Sequence, residues 1–227
     1  MKNGRAEPYK GRLSASEIAC GMNAAAANSK RLLADAELLF QNGRFPTAFS
    51  IAVLSIEEAG KPSILRGLSI APTEKELNAA WRDYRTHTAK NYAWIIVDLA
   101  RNGARTINDL RPMFDRNSDH TNKLDSLKQM GFYTDCYGDR NWAEPQRIID
   151  KQITYAILYA ARILCPQTET SAREIELWIE YLCPHWGTQE MIYASIRFHE
   201  AMRAEGLGHH DADEIRRFFG LSPNTDK

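Results

Sequence analysis

Apolar positions recur along most of this chain every three or four residues, the period of helices that bury one face. After a polar arm over residues 1–13, Ser14 with Glu17 three places on reads as a capping box that opens a helix. From there Ile18, Met22, Ala25, Ala26, Leu32, Leu33, Ala36, Leu39 and Phe40 share a face, and Asn42-Gly43 ends it. A second helix enters through Pro46, which suits a first turn, and carries Ala48, Ile51, Ala52, Ile56 and Ala59 on its core side. Phe49, Val53 and Leu54 point elsewhere, so this helix is apolar nearly all round and is expected to be buried. Gly60 and Pro62 follow. With no N–H at Pro62 for the Glu58 carbonyl, a kink or stop is expected near Lys61.

A third helix is predicted from Thr73 to Arg101, closed by Asn102-Gly103, and then an irregular polar stretch to residue 122. Further helices are predicted over roughly 145–164, 169–183, 188–204 and 211–219, with breaks at Cys165-Pro166, Cys183-Pro184 and Gly206. No strand-like alternation persists and no internal repeat is visible. The expected fold class is all-α: a helical domain over 1–167, with a helical extension over 168–227 packed on the same domain.

Length and composition narrow this little. At 227 residues the chain fits one large domain. Lys plus Arg number 29 and Asp plus Glu 29, so the chain as a whole advertises neither a nucleic-acid nor a membrane-surface binder, although a local basic face stays open. Cys20, Cys136, Cys165 and Cys183 lie far apart with no CxxC pair, which argues against a thiolate zinc site and a disulfide framework and for free thiols in a reducing compartment. The arm MKNGRAEPYKGR shows no secretory signal. The apolar run Ile153 to Cys165 is too short to span a bilayer and contains Arg162. The expectation is a cytoplasmic protein with no membrane partner.

Two charged clusters interrupt the apolar pattern. Glu57-Glu58-Ala59-Gly60-Lys61 sits on the helix expected to be buried, where charge is costly unless paired. Glu57 and Lys61 are four apart and can pair along one face. At least one of the two carboxylates is expected to be buried and paired with Lys61, Arg82 or Lys90. A structural ion pair and a site role fit these residues equally well. The second cluster runs from Trp81 to Asn91. On a continuous helix, Asp83, His87 and Lys90 fall within an arc of roughly 60°, with Arg82 at its margin. A cation beside an imidazole suits chemistry on a phosphodiester: the imidazole moves a proton while the cation stabilises oxyanion charge. Asp83 would hold the imidazole's tautomer. On spacing alone, a solvated helix face with one exposed histidine explains the same residues. No metal-ligand constellation is evident. The run Gly208-His209-His210-Asp211-Ala212-Asp213 reads as a polar turn capping the last helix rather than as a metal site.

Arg82-Asp83 followed by His87 resembles the ribonuclease motif of HEPN (higher eukaryotes and prokaryotes nucleotide-binding) proteins: an arginine, a polar residue, then a histidine after four to six intervening positions. Three further stretches are similar to AbiV-type abortive infection proteins of that class. They are Glu57-Glu58-x-Gly60-Lys61, His87-x-x-Lys90, and Leu127-Lys128-x-x-Gly131-Phe132-Tyr133-x-Asp135 with Trp142 and Pro145. The likeness covers about residues 18–165, and residues 168–227 have no counterpart in it. It departs at Pro62, where relatives continue with helix formers.

The resemblance implies an HEPN-like bundle with a four- or five-helix core, and a homodimer in which arginine and histidine of two subunits meet. It further implies a toxin-like endoribonuclease of abortive-infection defence against phage. Such enzymes cleave RNA without metal or other cofactor, using the 2′-hydroxyl that RNA alone supplies. In that reading His87 is the acid/base group, Arg82 binds the scissile phosphate and Asp83 orients. Glu57, Glu58, Lys61, Lys90, Asn91, Lys128 and Tyr133 form the pocket. The partners are a second copy, RNA, and a phage-encoded activator or neutralising protein. The same residues also allow a catalytically silent HEPN dimer that binds a protein or nucleotide partner as a regulatory module.

Overall fold

In a computed structural model, residues 7–115, 117–208 and 210–222 are described. The first six residues of the polar arm and His209 of the His-His-Asp turn lie outside these. Helix α1 (Ala15–Gln41) opens on the expected capping box: Glu17 N–H donates to Ser14 Oγ, and the Glu17 carboxylate accepts the Ser14 N–H at 2.7 Å. It pairs along much of its length with α2 (Phe45–Ser69), which enters through Pro46. The contact is close because small residues face each other. Ser29 Oγ donates to the Ser55 carbonyl at 3.0 Å and Ser55 Oγ to the Ser29 carbonyl at 2.9 Å, so two buried hydroxyls are satisfied across the helix pair.

Helix α2 is the central element. Ala48, Phe49, Ala52, Val53 and Ile56 are buried, Phe49 and Val53 included, as an all-round apolar helix requires. It does not stop near Lys61. The helix runs through Pro62 to Ser69, and Ser63 Oγ donates to the Gly60 carbonyl at 2.8 Å in the interrupted turn. Leu65 and Leu68, beyond the proline, are buried with Ile18, Met22, Leu77, Trp81 and Ile175. That burial holds the helical course against the lost hydrogen bond.

The helix predicted over 73–101 is three pieces. Helix α3 (Glu74–Arg85) is capped by Thr73 and ends at Thr86, whose backbone is extended (φ −86°, ψ 129°) and whose hydroxyl bonds the Arg82 carbonyl at 2.9 Å. A single turn, α4 (His87–Lys90), follows, then a 3₁₀ turn over Tyr92–Ile95 and α5 (Ile96–Arg101). Helix α6 (His120–Phe132) lies against α2, and a two-stranded hairpin, β1 (Asp135–Tyr137) with β2 (Asn141–Ala143), was not foreseen. It pairs antiparallel with Cys136 opposite Trp142, on a turn where Gly138 (φ 51°) and Arg140 (φ 69°) take the left-handed conformation. Helix α7 (Pro145–Ile148) leads to α8 (Lys151–Leu164), which buries Ile157, Leu158, Ala160 and Ala161 against α2. The fold is all-α, with the hairpin as its one β element among the described residues.

The remaining helices, α9 (Ala172–Leu182), α10 (Met191–Ala204) and α11 (Ala212–Phe218), fall near their predicted positions. Helix α9 joins α1 and α2 through buried Ile175, and Trp178 Nε1 donates to the Arg66 carbonyl at 3.1 Å. Asp211 caps α11, as its sequence predicts, through a capping box with Glu214. Among the described residues no helix is long and apolar enough to cross a membrane.

Candidate functional site

Among the described residues three charged side chains are buried, and they meet. Glu57 on α2 is 3% exposed, Lys90 at the end of α4 is 6% and Lys128 on α6 is 2%. Lys128 Nζ lies 2.6 Å from Glu57 Oε1 and 2.6 Å from Asp125 Oδ1, one turn earlier on its own helix. The second oxygen of Glu57 lies 2.6 Å from His87 Nδ1. A carboxylate only accepts, so Nδ1 carries the hydrogen and Nε2 is left as the acceptor of a ring whose side chain is 57% exposed. The buried carboxylate therefore binds a buried ammonium with one oxygen and orients a surface imidazole with the other.

Two close approaches set this geometry. At Gly131 on α6 a Cβ would stand 2.2 Å from Ser50 Oγ, so only glycine lets α6 come this near α2. Ser50 Oγ then donates to the Lys128 carbonyl at 2.8 Å, which seats Lys128 opposite Glu57. At Gly60 a Cβ would stand 1.9 Å from the Lys90 carbonyl oxygen, so α4 crosses directly over the Glu57–Lys61 turn. Gly60→Ala is expected to push α4 away and cost about 1–3 kcal/mol, as overpacking does. Gly67→Ala, on the same helix with no atom within 4 Å of the added carbon, is expected to be neutral or stabilising by up to about 1 kcal/mol. Parallel urea melts of the two variants check this, and equal midpoints would contradict it.

Charge in the cluster is uneven. Burial lowers the Lys128 ammonium's pKa, but hydrogen bonds to Asp125 and Glu57 outweigh it and leave the value above lysine's ordinary 10.5. Burial lowers Lys90 too, and there it wins: Glu57 and Glu58 pull the value up, Lys61 and Lys128 push it down, and the result lies below 10.5. The folded state thus binds fewer protons at Lys90 than the unfolded chain does between the depressed value and 10.5, so stability rises with pH across that window. Lys128 acts in the opposite sense but above 10.5, where its contribution is lost as pH climbs through its raised value. Lys90→Met should flatten the rise in melting temperature between the depressed Lys90 value and 10.5. Thermal melts at stepped pH read this directly.

Several residues expected in the site are placed differently. Lys61 pairs with Glu58 at 2.5 Å and lies 5.3 Å from the Tyr84 ring centroid, whereas Glu57 takes Lys128 and His87. The expected pair of a largely buried carboxylate with Lys61 is met by Glu58, whose side chain is 17% exposed, whereas the more deeply buried Glu57 takes none of Lys61, Arg82 and Lys90 as its ion-pair partner. Because Thr86 breaks the helix, Asp83, His87 and Lys90 do not share one face. The carboxylate on His87 is Glu57; Asp83 stays beside Arg82, 4.0 Å away, with both side chains exposed. Asn91 is fully buried: Nδ2 reaches the Thr121 carbonyl at 3.5 Å, and Oδ1 has no hydrogen-bond partner. Tyr133, at the C-terminal end of α6, is exposed and packs on Phe132, outside the cluster.

Asp125 was missed, although Asp125-x-x-Lys128 is the spacing of a helical ion pair. With Glu57 and His87 it forms a group whose ligating atoms all lie within 4.8 Å of one another, a constellation the sequence did not reveal. The two carboxylates are already bridged by the Lys128 ammonium, so the chain itself supplies the cation that would otherwise neutralise them.

The family model described as AbiV, of the HEPN class, matches residues 17–165, the stretch that carries every residue of this cluster. No curated protein and no solved structure matches the chain significantly.

Proposed function

The chain belongs to the AbiV family of HEPN proteins, and from that premise we propose that it is a cytoplasmic, metal-independent endoribonuclease of abortive-infection defence. The observation that carries the reading is the 2.6 Å contact between His87 Nδ1 and buried Glu57. It fixes the imidazole with Nε2 turned to its proton-transfer role, the arrangement a general base needs before substrate arrives. His87 takes the proton of the RNA 2′-hydroxyl as that oxygen attacks the adjacent phosphorus; the bond from phosphorus to the 5′-oxygen breaks, a 2′,3′-cyclic phosphate is left upstream, and the departing 5′-oxygen takes a proton from water. Arg82, its side chain 74% exposed and held only weakly by Asp83, meets the phosphate's developing charge. Glu57 positions the imidazole, Lys128 holds the Glu57 carboxylate in place through the 2.6 Å ion pair, and Glu58, Lys61 and Lys90 build the wall behind it.

A two-fold dimer that faces the α3–α4 junctions of two copies brings both Arg82/His87 sets together. Light scattering at micromolar concentration is expected to give twice the chain mass; a monomer would remove the shared site. The activity itself is tested by incubating the purified protein with total cellular RNA, with and without EDTA, beside His87→Ala. Fragments that depend on His87 and persist in EDTA are expected. Absence of such fragments would instead favour a silent dimer that binds a protein or nucleotide.

A further inference from the structure

A cavity of about 520 Å³ opens beside the Arg82/His87 pair. It is lined by Asp83, Thr88, Tyr92, Phe114, His120 and Asn122, among others. Asp83 follows Arg82 in the chain and Thr88 follows His87, so two lining residues adjoin the proposed catalytic pair in sequence. Its volume lies in the usual range of small-molecule sites, roughly 300–1,000 Å³. We infer that this cavity receives a guanine base of the RNA strand next to the scissile phosphate, stacked on Phe114 and Tyr92 and read by Asp83. The inference rests on the nuclease reading for the neighbouring phosphate, but the base pocket stands on its own geometry.

The walls select a base over a phosphate. The described lining residues contain no lysine or arginine, while Asp83 and Asp115 are both present, so an anion is repelled. The Tyr92 and Phe114 rings lie 5.4 Å apart at 34°, with Phe114 59% exposed, which offers an uncovered aromatic face of the kind that single-stranded bases stack on. Tyr92 is fixed by its hydroxyl, which donates to Ser63 Oγ at 3.1 Å. His120 is fixed at both nitrogens. Nδ1 accepts from Trp94 Nε1 at 3.1 Å, which leaves Nε2 to donate to the Met113 carbonyl at 3.3 Å. Tyr92 and His120 in the wall are thus held by contacts within the fold.

The acidic groups choose among bases. Asp83 has one weak pairing, to Arg82 at 4.0 Å, and otherwise presents two acceptor oxygens. Guanine alone carries two parallel donors, N1–H and the 2-amino group, on its Watson–Crick edge. Adenine and cytosine offer one amino group beside an acceptor, and uracil a single N–H between two carbonyls. Asp115 is the lesser candidate, because its Oδ1 already accepts the Asn117 N–H at 2.9 Å.

The test uses 2′-O-methyl tetranucleotides, which bind but cannot be cleaved, carrying G, A, C or U at one position in an otherwise constant strand. Fluorescence anisotropy with the full chain should show the G strand binding roughly tenfold or more tighter than the others, the discrimination of a good bidentate contact. Asp83→Asn, which puts an amide donor against the base's donors, should erase that preference while circular dichroism stays unchanged. Phe114→Ala should weaken all four strands alike, by about fivefold or more. Equal affinities for the four strands, or a G preference that survives Asp83→Asn, overturns the inference. Cleavage of unmodified RNA by the same preparation is scored separately: G-selective binding without cleavage sinks the nuclease reading and leaves the pocket, and cleavage without G selectivity does the reverse.

Discussion

Lys128→Met is expected to destabilise the protein by about 3–5 kcal/mol, the usual consequence of removing one partner from a buried ion pair. For a chain of this size that lowers the melting temperature by roughly 6–20 °C. The argument rests on what remains behind. Methionine fills the space of the lysine stem, so little packing is lost, but Glu57 is left 3% exposed without its ammonium partner. His87 and the nearby Lys90 offset part of the cost, since both lie close enough to act on the same carboxylate. Lys123→Met, which removes an ion pair with Asp119 that is open to water on both sides, serves as the contrast and should leave the melting curve nearly unchanged. In the double variant Glu57→Gln/Lys128→Met, much of the loss should return, because no unpaired charge remains. A melting curve for Lys128→Met that overlays the wild type would mean that water reaches Glu57 and that the buried cluster does not hold α6 to α2.

That cluster also marks where local sequence rules stop. The capping box at Ser14, the all-round apolar character of α2 and the helices after residue 145 were legible because each depends on neighbours within a turn or two. The partner of Glu57 was not. The i,i+4 rule pointed to Lys61, whereas the observed partner is 71 residues away, and α6 reaches it only because Gly131 admits Ser50. Lys128 entered the candidate pocket through family resemblance rather than through spacing. The break at Thr86 was equally hidden. Threonine is only mildly unfavourable in a helix, and nothing local says that α4 must cross α2 at Gly60, thirty residues earlier. Reading 73–101 as one helix put Asp83 on the His87 face. Once the chain turns at Thr86, the imidazole meets Glu57 and Asp83 stays beside Arg82. Pro62 misled in the other direction: its local cost is real, but the burial of Leu65 and Leu68 exceeds it.

The same geometry makes the catalytic assignment separable from folding. His87→Ala removes only the exposed end of the chain of contacts: Glu57 keeps Lys128, and Lys128 keeps Asp125. Arg82→Ala removes a side chain 74% exposed whose one ion pair spans 4.0 Å. Both variants should therefore retain the helical spectrum, the melting temperature to within a few degrees and the solution mass of the unsubstituted protein. Their effect on RNA cleavage should be large. Losing a positioned proton carrier typically costs about 10²–10⁴-fold in rate, and His87→Ala is expected in that range. Arg82→Ala should fall comparably if the guanidinium meets charge that develops only in the transition state. The products identify the chemistry. Attack by the 2′-hydroxyl leaves a 2′,3′-cyclic phosphate or its hydrolysed form on the upstream fragment, and EDTA should not slow it, because in the proposed reaction Arg82 offsets the phosphate charge and His87 accepts the 2′-hydroxyl proton. Mass spectrometry of the fragment ends decides the matter. Uniform 3′-hydroxyl ends, with activity lost in EDTA, would mean that water attacks with metal assistance and that the Glu57–His87 pair is a structural contact.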